Sequence, residues 1–116
     1  MDTTRLVVDV LSAALDVPVS TDMPADRAGR LVLVDLSGDQ STEHLLMPRY
    51  DLTCWGSTDR DAKGIATSAV RALQDAALDH PYLSACRLET MSREEWSRNG
   101  QGRYLAVVDL VINTDE

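Results

Sequence analysis

The sequence predicts an α+β domain in which a mostly antiparallel sheet of four or five strands packs with two α-helices. Three observations carry this reading. Two stretches repeat their apolar residues with the period of a helix, and five others alternate or run apolar over strand-like lengths. The chain order is helix, strand, strand, strand, helix, strand, strand.

The first helix runs over about residues 2–15, where Leu6, Val7, Val10, Leu11, Ala14 and Leu15 share a face opposite Arg5, Asp9 and Ser12. Pro18 and Pro24 then exclude helix, and residues 17–22 read as a short edge strand, the place in a sheet that tolerates proline. Residues 24–29 read as a loop. Leu31-Val32-Leu33-Val34-Asp35-Leu36 is apolar on both faces, so this strand is expected inside the sheet with both sides covered.

Residues 37–43 are rich in turn formers and connect to a strand over Leu45–Trp55, giving a hairpin with a loose tip. In that strand Tyr50, Leu52 and Cys54 alternate with Arg49, Asp51 and Thr53, and Gly56 ends the extended run. Thr58 with Asp61 approximates a capping box, and Asp59 and Asp61 suit the positive end of a helix dipole. The second helix follows to about Leu78. Its stripe of Ala62, Ile65, Ala66, Ala69, Val70, Leu73, Ala76 and Ala77 is small enough to approach a sheet closely, with Trp55 expected as a partner for it. His80-Pro81 closes the helix. A weaker strand spans Tyr82–Met91, with Leu83, Ala85, Arg87 and Glu89 on one face. Residues 92–103 read as a polar loop with Asn99-Gly100 and Gly102 as turn formers, and Tyr104–Ile112 is the most β-prone run of the chain.

With 116 residues and no repeat or linker, the chain is expected to be a single domain over residues 1–116 that needs neither disulfide nor metal to fold. Eleven basic against nineteen acidic residues leave a net charge of −8, which opposes general binding to nucleic acid or to an anionic membrane. No apolar run approaches the ~20 residues of a membrane span, and the N-terminus does not resemble a signal peptide, so a soluble protein made in a cytoplasm is expected.

Chemistry has little support in the residues. Cys54 and Cys86 stand in strand-like segments and read as small buried hydrophobes. With His44 and His80 they could form a zinc tetrad only at spacings unlike the local pairs of structural sites. Asp59, Asp61, Glu94, Glu95, Asp115 and Glu116 fall in solvated contexts rather than as tuned acid pairs, and the glycines form no phosphate-binding pattern. The expectation is therefore no catalytic residue, no metal and no cofactor. One feature points to a partner: Trp96, in a polar stretch with Arg93, Arg98 and Arg103, has the composition of a protein interface, since Trp and Arg are enriched where binding energy concentrates. The alternative is that Trp96 folds back to cap the core.

Four stretches stand in a recognisable order: the N-terminal helix, Val17-Pro18-Val19-Ser20-Thr21-Asp22-Met23-Pro24 followed by Arg27 and Arg30-Leu31-Val32, Arg49–Gly56 leading into the Ala-rich helix, and the closing strand. Together they resemble the tail terminator, or tail completion, proteins of long-tailed bacteriophages. The resemblance spans nearly the whole chain, rests on order and texture, and departs from the family in the stretch 92–103. It implies a non-enzymatic virion assembly protein: a homo-oligomeric ring, commonly a hexamer, at the head-proximal end of the tail. Such a ring stops tail-tube polymerisation and offers a head-tail joining surface. The implied partners are further copies of itself, the tail-tube protein and the head connector or neck protein. DNA passes through without specific binding. The implied location is the virion tail, with the host cytoplasm as the site of assembly. The alternatives are another neck or tail-tube component, or a small ligand-binding regulatory domain.

Overall fold

The computed structural model describes residues 2–23, 29–94 and 101–113. Helix α1 (Thr3–Ala14) starts at Asp2, whose carboxylate accepts the Arg5 N–H at 3.0 Å, and buries Leu6, Val7 and Leu11. Strands β1 (Val19–Ser20), β2 (Leu31–Asp39), β3 (Leu45–Leu46) and β4 (Pro48–Gly56) follow, then α2 (Asp59–Ala76), β5 (Leu83–Arg93) and β6 (Gly102–Asn113).

The sheet has six strands and is mixed, which corrects the expected mostly antiparallel sheet of four or five. β1 pairs parallel with β2, while β2 with β4, β4 with β6, β3 with β6 and β5 with β6 are antiparallel. Strands β3 and β4 share one register on β6, Leu45 opposite Asn113 and Arg49 opposite Asp109, so they form a single rank broken around Met47. The strand expected over Leu45–Trp55 is therefore one rank interrupted once, and its β4 part forms the expected antiparallel hairpin with β2.

Both helices lie on one face of the sheet. Tyr50, Leu52 and Cys54 of β4, Val32 and Val34 of β2, and Ala106, Val108, Leu110 and Ile112 of β6 alternate onto it and form one core with α1 and α2. The hydroxyl of fully buried Tyr50 lies 2.6 Å from Thr3 Oγ1 and 2.8 Å from Thr4 Oγ1, pinning the start of α1 to the sheet. Helix α2 begins at Thr58, whose hydroxyl accepts the Asp61 N–H at 3.1 Å, and lays Ala62, Ile65, Ala66, Ala69, Val70 and Leu73 against the sheet.

The opposite face carries no helix among the described residues. On that side of β2, Leu33 is half-buried, while Leu31 is buried in a row with Trp55, so both faces of the strand are covered at its start. Trp55 faces away from α2, because it alternates with Cys54, which correctly reads as core. Bulges explain a further difference. A register shift at Ser84 turns Leu83 toward the core while Ala85 and Arg87 face the other way, and a second at Glu89 extends β5 to Arg93. The stretch expected as a loop over 92–103 therefore contributes two residues to each strand.

Candidate functional site

The base of the β5–β6 hairpin gathers the described part of the expected interface. Arg93 stands on the helix face, its Nη1 3.2 Å from Asp59 Oδ2 at the start of α2. Arg103 stands on the open face, its Nε 3.4 Å from Glu94 Oε1 and its guanidinium carbon 5.9 Å from the Trp55 ring centroid, a cation–π distance. The Gln101 side chain donates to Gly29 O at 2.8 Å and ties the hairpin to the start of β2. Trp96 and Arg98 lie outside the described residues. The two described arginines are engaged within the chain and hold opposite faces of the hairpin base.

A charged row crosses the open face farther along. Arg49 grips Asp109 with two bonds, Nε to Oδ1 at 2.7 Å and Nη2 to Oδ2 at 3.0 Å. Arg87 Nη2 reaches Glu89 Oε2 at 2.7 Å and Asp109 Oδ2 at 3.4 Å. The Arg49 guanidinium holds the Asp109 carboxyl below its ordinary value, and Asp109 raises Arg49. Beside this row, Met47, Ala85 and Val111 floor an open cavity of about 640 Å³, walled by residues 37–40. The sequence reading did not single out this row. Its only signal was Asp109, a charge in the middle of the most apolar strand.

Among the described residues no Asp, Glu, His, Lys or Arg is buried, and no three His, Cys, Asp or Glu side chains gather as metal ligands. Burial pushes the thiols of Cys54 and Cys86 up to about 12, with Asp109 adding to the rise at Cys86, so both are poor nucleophiles. The His80 Nδ1 accepts the backbone N–H groups of Tyr82 and Leu83 at 3.0 and 3.1 Å, a turn-forming role. No helix among the described residues is long and apolar enough to cross a membrane. What the geometry of the described residues offers is an extended surface: a sheet face that carries no described helix, exposed strand edges and a braced hairpin.

No known protein family and no curated protein matches this sequence. Among solved structures, a chain of the virion of a native gene transfer agent particle shares its fold. The TM-score is 0.66 at 16% identity, covering 90% of this chain and 84% of that one.

Proposed function

We propose that this protein is a structural component of a phage-like virion and acts as a tail terminator, forming a ring at the head-proximal end of the tail that halts tube growth and receives the head connector. The observation that carries this reading is the likeness to a gene transfer agent virion chain over 90% of this chain. It joins the sequence resemblance to tail terminators. The net charge of −8, multiplied over the subunits of a ring, suits a passage that DNA must traverse without sticking.

In this reading the protein is a single domain whose partners are further copies of itself, the tail-tube protein and the connector. It is made in the host cytoplasm and ends in the virion tail. Trp96, Arg93, Arg98 and Arg103 together supply a protein interface, with Arg93 and Arg103 already braced by Asp59 and Glu94. Electron microscopy of the protein mixed with tail tubes tests the assignment: rings seated at one end of tubes of fixed length are expected. Protein that extends tubes would make it a tube subunit, and a monomer that never joins tube ends would overturn the reading.

A further inference from the structure

The sheet leaves two edges open, and they match. β1 pairs with β2 at Val32 and Leu33, a parallel pairing that engages the Val34 N–H, so the outer edge of β2 beyond Val34 has no strand beside it among the described residues. At the other margin β5, eleven residues long, pairs only with β6. Open edges of this kind are templates for pairing with another chain.

Three features bring these edges into correspondence. The first is direction. Successive antiparallel pairings of β2, β4, β6 and β5 leave β5 running opposite to β2, so a copy placed alongside by rotation about an axis parallel to the strands would extend the sheet antiparallel.

The second is height: Leu36 pairs with Tyr50, Tyr50 with Val108 and Val108 with Leu88, so Leu36 and Leu88 end the same row at opposite margins. Both are on the helix face and both are exposed, 48% and 38%.

The third is backbone direction. The Val32 N–H bonds Pro18 O on the β1 side, so Val34 and Leu36 also turn their N–H and C=O outward. On β6, Arg103 O accepts from Glu94 and Asn113 N–H donates to Tyr82 O, so the odd-numbered residues face β5. Arg87 and Ala85, opposite Asp109 and Val111, therefore face β6, and Leu88 and Cys86 face outward.

Resting on the ring reading above, we propose that neighbouring copies join head to tail by antiparallel pairing of the outer edge of β2 at Leu36 of one copy with the outer edge of β5 of the next, Leu88 opposite Leu36. The bulges at Ser37 and Glu89 flank the Leu36–Leu88 pair and keep this ladder short. A short ladder is weak for a lone pair of copies and becomes cooperative when a ring closes on a template.

Cross-linking tests the pairing. In a Cys86→Ser background, Leu36→Cys and Leu88→Cys chains are mixed on tail tubes and mildly oxidised. Directly opposed residues of an antiparallel pair are close enough for a disulfide. A covalent dimer in the mixture and in neither chain alone is expected. Dimers from Leu88→Cys alone would mean symmetric β5–β5 contact and overturn the proposal. Rings that form without any cross-link would overturn it while leaving the ring reading intact, and failure to associate at all would overturn both. Leu88→Pro gives a second readout, since it removes an outward N–H and leaves the β6 ladder whole. It should fold normally and lower ring occupancy of tube ends at least tenfold; unchanged occupancy would sink the idea.

Discussion

Gly56 and Gly102 stand directly opposite one another at one end of the β4–β6 pairing, and the first turn of α2 lies on both of them. A Cβ on Gly56 would come within 2.3 Å of Ala62 N, and one on Gly102 within 2.3 Å of Thr58 O. Neither neighbour is a flexible side chain that could move aside. Either glycine to alanine should therefore push the helix start off the sheet and cost about 3 kcal/mol, the upper end for overpacking, read as a fall in thermal or urea midpoint. Gly64→Ala is the internal control. Nothing lies within 4 Å of that position in the middle of α2, so the change should stabilise by about 1 kcal/mol through helix propensity.

Tyr50→Phe should cost about 1 kcal/mol by removing the hydroxyl that bonds Thr3 and Thr4, without leaving a cavity. Because the bond lies at the start of α1, hydrogen exchange should rise in residues 3–7 more than in α2. Uniform loosening of both helices would contradict the pinning role.

Acid should weaken the fold through Asp109 and Asp61. Arg49 lowers the first from the ordinary value of 3.8; the Ser57 N–H, with Arg30, lowers the second. A carboxylate with a depressed folded value contributes stability that is complete above its unfolded value. That contribution is lost as pH falls below 3.8 and through the folded value. Thermal melts of wild type and Asp109→Asn should differ at neutral pH and converge in strong acid. A constant gap at every pH would show that Asp109 acts by packing alone.

Trp96→Ala separates an interface from a core residue. As an interface anchor it should leave the melting temperature within a few degrees and weaken assembly by ~2 kcal/mol or more. As a core residue it should instead lower stability by ~3 kcal/mol.

A chain carrying Cys54→Ser, Cys86→Ser, His44→Gln and His80→Gln, built stepwise so that packing defects are seen separately, should still complete infectious tails in a virus lacking the gene. His80→Gln will cost stability, about 1 kcal/mol, because the Tyr82 and Leu83 N–H groups lose their acceptor. Loss of complementation with normal folding and normal rings would reveal chemistry in these side chains.

The residues alone determined both helices, the Thr58 cap, the strand-like runs and the core face of β4, because each rests on contacts within a few positions along the chain. Tertiary structure decided what depends on pairing between distant segments. A parallel β1 makes the sheet mixed, and bulges at Ser84 and Glu89 reverse the faces a simple alternation assigns. Gly102 reads as a turn former in isolation, yet it is a strand residue whose missing side chain admits a helix 43 positions earlier in sequence, at Asp59. The charged row of Arg49, Asp109 and Arg87, and the shared height of Leu36 and Leu88, exist only once three strand registers are set together. Register follows from the sum of long-range packing, and a one-residue slip moves every side chain to the other face, so no local pattern specifies it.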